Sequence, residues 1–185
     1  RLIKEYFEKT GQDAVFTREP GGTPLAEKIR ELILHEEMSA ECEASLFAAA
    51  RSEHIDNFIL PALNAGKTVI CVRYVDSSIA YQGYARGLGR DRVTAINGYA
   101  FRKCMPDAVV FLDMNPLTSW RRQSGNVVEN DRLEAEKDEF HLAVYRGFKE
   151  LAATESRYIR IEPDEDKLVT SGRIIDALRA RGIIE

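Results

Sequence analysis

No run of apolar residues in the sequence approaches the roughly 20 that a membrane-crossing helix needs, and no basic segment followed by an apolar stretch marks a secretory leader. Both absences lead to the expectation of a cytoplasmic protein with no membrane partner. Cysteine is sparse. Cys42, Cys71 and Cys104 have no metal-like spacing, and two of them lie in apolar segments suited to small buried thiols, as expected in a reducing compartment. Positive charge is short as well: the formal net charge is -4, which argues against broad binding to nucleic acid. Lysine in particular is scarce, 8 residues against 18 arginines. The planar arginine fork suits bidentate phosphate contacts, although a compositional bias of the genome produces the same imbalance. Internal repeats, low-complexity tracts and linker-like stretches are missing too. With 185 residues and 44% apolar content, residues 1–185 read as one domain around one core.

A complete phosphate-binding loop, G-x-x-x-x-G-K-[ST], is also lacking. Gly66, Lys67 and Thr68 supply its end, but Pro61 stands where the first glycine belongs. The local order is reversed besides: Gly66 closes a helix and Thr68 opens a strand, whereas that loop leads from a strand into a helix. The stretch reads as a plain helix-stop turn.

What is present is an alternation of helices and short apolar strands. Leu2, Ile3, Tyr6 and Phe7 recur at helical spacing across Arg1 to Thr10, stopped by Gly11, and the chain opens partway along this helix with no capping residue before it. Ala14 to Phe16 is a strand, and Thr23 with Pro24 starts a helix to about His35. Ser39 caps a long helix to about Asn64. The strand Thr68 to Cys71 leads to helices near Ser77 to Tyr84 and Asp91 to Lys103, then to the strand Ala108 to Leu112. A short helix follows Pro116, a polar segment fills Gln123 to Asp131, and a helix spans Leu133 to about Thr154. The strand Tyr158 to Ile161 and a helix from Asp166 to Arg181 finish the pattern. Strands alternating with helices predict an α/β fold with a parallel sheet covered on both faces.

Ligands of such sheets bind beyond the carboxyl ends of the strands. Two segments stand there. In "TREPGGT", Thr17 to Thr23, paired glycines allow a sharp turn and close backbone approach beside Arg18 and Glu19, as an ordinary strand-to-helix turn would also do. In "VICVRYVDSSIAYQG", Val69 to Gly83, an oily strand empties into Arg73, Asp76, Ser77, Ser78, Tyr81 and Gln82. Phe47 and Arg51, four apart, share one helix face.

Together "FTREPGGT", "SLFAAARSEH", "RYVDSSIAYQG" and "DRLEAE" resemble thymidylate kinase, in order over nearly the whole chain. The resemblance implies a three-layer α/β/α P-loop kinase (nucleoside monophosphate kinase) fold that moves the terminal phosphoryl of ATP onto dTMP, giving dTDP for dTTP synthesis, with Mg2+, as a homodimer. It implies that Phe47 stacks on thymine, that Arg51 and Arg30 contact the base side, and that Ser78 and Gln82 meet the base edge, with Ser77 also among the substrate-binding residues. By the same resemblance Tyr81 would lie against the deoxyribose, Arg73 would sit between donor and acceptor phosphates, and Arg18 and Glu19 would approach the nucleotide phosphate, Glu19 through Mg2+ or water. It further implies a lid at about 121–134, with Arg121, Arg122 and Arg132 to reach the ATP phosphates. Two departures stand out. The family's first strand and phosphate-binding loop would precede residue 1, and Val72 occupies a position where the family has an aspartate. A kinase for another nucleoside monophosphate and a non-catalytic nucleotide-binding or dimerisation module are the alternative readings.

Overall fold

The computed structural model describes residues 1–117, 132–133 and 135–185. Its strands pair in parallel, β1 (Ala14–Arg18) with β2 (Thr68–Val72) and β3 (Val109–Leu112) with β4 (Tyr158–Ile161). Among the described residues each pair keeps its own ladder, with no hydrogen bonds from one pair to the other. The layers are nevertheless those expected of an α/β fold. Successive strand residues point to opposite faces, and Ile159 and Ile161 join Ala14, Phe16, Ile70 and Val110 around Phe7 and Leu178 on one face. Tyr158, Val109 and Phe111 turn the other way, into a cluster with Ile79, Val93 and Leu151.

Helices α1 (Leu2–Thr10) and α9 (Lys167–Ala180) cover the first face, and α6 (Arg90–Ile96) and α8 (Asp138–Thr154) the second. Leu151 and Val93 are fully buried there, each burial contributing roughly 1.5–3 kcal/mol. Local chemistry sets most boundaries where the sequence places them. Thr23 Oγ1 accepts the Ala26 N–H at the start of α2 (Pro24–His35), and Ser39 Oγ accepts that of Cys42 at the start of α3 (Ala40–His54). Gly11 ends α1 in the left-handed conformation that glycine adopts without a Cβ penalty. Gly66 takes up the same role before β2, so the GKT stretch is a helix stop.

Three helices depart from a regular reading. The long helix after Ser39 widens at Ile55–Ile59 before continuing as α4 (Leu60–Asn64). Pro61 has no N–H to give, and the Leu60 N–H reaches back five residues to Ile55 O, so the ladder shifts to π spacing just ahead of the proline. The helix expected at Ser77 to Tyr84 is α5 (Val75–Ser78), which widens in the same way over Ile79–Ala85. The helix expected over Asp91 to Lys103 is broken at Asn97 into α6 and α7 (Gly98–Lys103). There a buried side chain outcompetes helix continuity, for Asn97 Nδ2 donates to Val93 O while Oδ1 accepts from Arg51. Helix α8 begins at Asp138, five residues later than the apolar pattern starting at Leu133 suggests, although Leu133 is itself buried in the core beside Phe140.

Candidate active site

The carboxyl ends of β1 and β2 are locked side by side where the Glu19 N–H donates to Val72 O at 3.0 Å. Beyond them opens a cleft, the concave setting in which small molecules bind. It draws from the turn after β1, from α2 and α3, from the segment after β2 and from the start of α8. Glu19, Arg30, Phe47, Arg51, Arg73, Ser77, Ser78, Tyr81 and Gln82 all reach its wall. Arg18 does not. Its guanidinium grips Glu27 through two hydrogen bonds of 2.7 and 3.0 Å, and Glu27 also accepts the Gly22 N–H, which fixes the glycine turn. The Arg18 hydrogen bond is the main reason that the Glu27 carboxyl lies below its ordinary range.

That turn is tightly enclosed. A Cβ on Gly22 would lie 2.5 Å from His54 Nε2 and 2.7 Å from Thr17 Oγ1, so no larger residue fits. His54 Nε2 is 2.8 Å from Thr17 Oγ1, and its Nδ1 is 3.0 Å from Glu19 Oε1. The other Glu19 oxygen accepts Arg51 Nε at 2.6 Å. Arg51 Nη1 donates to Ser78 Oγ and Asn97 Oδ1, and its guanidinium lies over Tyr74. Arg51 and Glu19 are each about 2% exposed at the side chain, so this is a buried ion pair, with Arg51 Nη1 and the second Glu19 oxygen also engaged by neighbours.

Arg73 has φ of 64°, a left-handed conformation rare for a residue with a side chain. Such backbone persists where surrounding structure imposes it, and here it aims the guanidinium at the cleft, 4.9 Å above the Tyr81 ring. Arg30 Nη1 donates to Pro20 O at 3.1 Å, bridging α2 to the glycine turn. At the opposite end Gln82 Nε2 donates to Glu43 Oε1 at 2.9 Å. Glu43 is 1% exposed and also receives Arg86 and Arg132. Its burial pushes the carboxyl up, yet the hydrogen bonds from Gln82 and Arg132 and the nearby Arg86 hold it below the ordinary value. Burial raises the Cys71 thiol far above its ordinary value, with Glu19 adding to the effect, so this cysteine is a packing residue and not a nucleophile.

Asp76, in the same polar stretch, has a structural post. Both its oxygens accept from Arg157, at 2.9 and 2.6 Å, and the Tyr158 hydroxyl donates to it at 3.1 Å, tying α5 to β4. Arg121 and Arg122 lie outside the described residues. Arg132 lies within them, and its guanidinium donates to Ile33 O at 3.1 Å and meets Glu43 at 2.7 Å, anchored on α2 and α3.

Sequence reasoning passed over Glu43, His54, Asn97 and His141. The first two had a signal: with Phe47 and Arg51 they follow each other at spacings of four, four and three, one face of α3. Asn97 and His141 had none, because each comes to the cleft region from a distant helix.

Magnesium, which the resemblance implies, finds no ready cage. Among the described residues no three His, Cys, Asp or Glu side chains are grouped to hold a metal ion. Glu19 has Arg51 on one oxygen and His54 on the other, and Val72 is apolar and 63% exposed. The described side chains do not fit a magnesium site by themselves.

Parallel strands ending at an arginine-lined cleft under helices on both faces make an α/β fold, and comparison with known proteins makes it that of the P-loop nucleoside monophosphate kinases. The thymidylate kinase family profile matches residues 1–171. A thymidylate kinase of Finegoldia magna is 41% identical over 185 residues, covering 98% of this chain and 91% of that protein. One of Oceanobacillus iheyensis is 46% identical over 159 residues, 82% of this chain and 71% of that protein. One of Shouchella clausii is 42% identical over 176 residues, 93% and 79% respectively. The chain belongs to the thymidylate kinase family.

Proposed function

We propose that this chain transfers the terminal phosphoryl group of ATP to the 5′-phosphate of dTMP, releasing ADP and dTDP. The observation that carries the reading is the composition of one cleft: two aromatic rings, Phe47 and Tyr81, with the amide of Gln82 and the hydroxyl of Ser78 at one end and the Arg73 and Arg30 cations within it. A pyrimidine ring stacks on or against an aromatic wall, its edge takes hydrogen bonds from amide and hydroxyl, and its phosphate takes a cation. Phe47 is the base-stacking residue in this reading, and Tyr81 limits the sugar. Arg73 is the phosphate-side cation, already held by backbone and ring.

Phosphoryl transfer asks for positioned charge more than for covalent help from the protein. A phosphate oxygen of dTMP attacks the γ-phosphorus, the bond to the ADP oxygen breaks, and the guanidinium of Arg73 stabilises the charge on the oxygens between the two. Arg121 and Arg122 are proposed as further cations toward ATP. Arg132 is the lid's anchor, through Glu43 and Ile33. Magnesium is proposed as the partner of ATP, with no step assigned to protein ligands. The family also suggests a homodimer in the cytoplasm, which sedimentation at micromolar concentration checks by the mass of the particle.

The deciding experiment offers the protein ATP, magnesium and each of dTMP, dCMP, dAMP and dGMP, and measures the diphosphate formed. Preferential conversion of dTMP is expected. Conversion of another monophosphate at a higher kcat/KM, or of none while dTMP still binds, overturns the reading.

A further inference from the structure

Gln82 has an orientation that its own side chain does not choose. A carboxylate has no proton to give, so the face of the Gln82 amide turned to Glu43 must be the NH2 face. Nε2 donates to Glu43 Oε1 at 2.9 Å, and the carbonyl oxygen, Oε1, is therefore turned away. That oxygen is buried and has no hydrogen-bond partner among the described residues, on a side chain that lines the cleft and is 1% exposed. A buried acceptor without a donor is costly unless a ligand supplies one.

Glu43 is itself held in place. Arg132 Nη2 lies 2.7 Å from its Oε2, Arg86 Nε donates to its Oε1 at 3.3 Å, and Arg86 is paired in turn with Glu136 at 2.5 Å. Two guanidiniums keep the carboxylate charged and leave it one amide to orient. We propose that Glu43 is a positioning residue that sets base specificity: by engaging the NH2 face of Gln82 it leaves the carbonyl of this cleft-lining side chain as the acceptor for a ligand, which selects a base with a ring N–H at its Watson–Crick edge and rejects one with a ring lone pair there. The inference rests on the proposed reading of the cleft as a nucleoside monophosphate site. Thymine and uracil carry an N3–H between two carbonyls. Cytosine has a lone pair at N3, which would face the Gln82 oxygen and be repelled.

Two calorimetric measurements test it. On the unmodified protein, N3-methyl-dTMP and dCMP are each expected to bind at least about tenfold more weakly than dTMP, the loss of one desolvated hydrogen bond. Glu43→Gln then removes the constraint, since an amide at 43 can either accept from Gln82 or donate to it. The dTMP-to-dCMP affinity ratio is expected to collapse by about tenfold, with dTMP weakened and dCMP unchanged or tighter. Should Glu43→Gln not fold, Glu43→Asp keeps the charge that Arg86 and Arg132 need while withdrawing the carboxylate from Gln82, and the same collapse is expected. A merely structural Glu43 would weaken both nucleotides equally, and an unchanged ratio in the folded variant overturns the role of Glu43. Equal binding of dTMP, dCMP and N3-methyl-dTMP by the unmodified protein overturns the cleft reading itself, and the proposal with it.

Discussion

Replacing Arg51 by methionine keeps much of its length and apolar volume but removes the guanidinium from the centre of the molecule. Glu19 then keeps only the His54 contact, while Asn97 Oδ1 and Ser78 Oγ lose their donor. Removing one member of a buried ion pair costs about 3–5 kcal/mol, most of it from the charge left behind. For a chain of this size that amounts to a fall in Tm of about 6–20 °C. Neutralising the stranded charge should recover part of the loss, so Arg51→Met with Glu19→Gln should cost about 1–3 kcal/mol less than the sum of the two single changes. Urea denaturation of the four proteins gives the cycle directly, and scanning calorimetry gives the temperatures. A single-variant Tm within about 2 °C of the parent, or strict additivity in the cycle, would falsify the claim that this pair holds together the turn after β1, α3 and the break between α6 and α7.

Gly22→Ala should destabilise by about 2–4 kcal/mol, because the new Cβ meets His54 and Thr17 at a positive φ of 89°; a urea midpoint matching the parent's would refute the enclosed turn. Glu43 titrates below the ordinary carboxylate value when folded, so the unfolded chain takes up the proton first as pH falls. Its contribution to stability is full above the unfolded value of about pH 4.3 and is lost as pH drops through the lower folded value, so the stability gap between the parent and Glu43→Gln should narrow as pH falls below about 4.3. A gap that stays constant in urea titrations across that range contradicts the assignment. Tyr81→Ala should narrow the preference for dTMP over its ribose counterpart, measured as a ratio of calorimetric affinities, and an unchanged ratio would make Tyr81 a packing residue.

Much of the architecture is written in short-range signals. Thr23 with Pro24, Ser39, Gly11 and Gly66 fix helix ends through their nearest neighbours in sequence, and all four act where the sequence puts them. The four strands show because buried parallel strands are continuous apolar runs. Phe47 and Arg51 show because helical spacing is also local. What did not show depends on partners far along the chain. The resemblance makes Arg51 a base contact, and in the fold it lines the cleft and is also tied to Glu19, Ser78 and Asn97, residues 32, 27 and 46 positions away. The break at Asn97 follows from that same bond, which no window around residue 97 contains. Glu43 looks like one more charge on a solvated helix until Gln82, Arg86 and Arg132 converge on it.

The widened turn at Ile79–Ala85 closes through the Arg86 N–H to Tyr81 O, five residues back where a regular helix would reach four. That turn therefore stores one residue of slack between Ser78 and Arg86. Remove a residue from an ordinary helix and everything beyond it swings by about 100° around the axis. Remove one from this stretch and the wide turn can relax to regular spacing, leaving α5 bound through Asp76 to Arg157 and leaving Arg86 facing Glu43. Tyr81 and Gln82, which lie within the wide turn, would lose their bearings. A shortened version of this segment would be a protein with an intact scaffold that had forgotten which base to read.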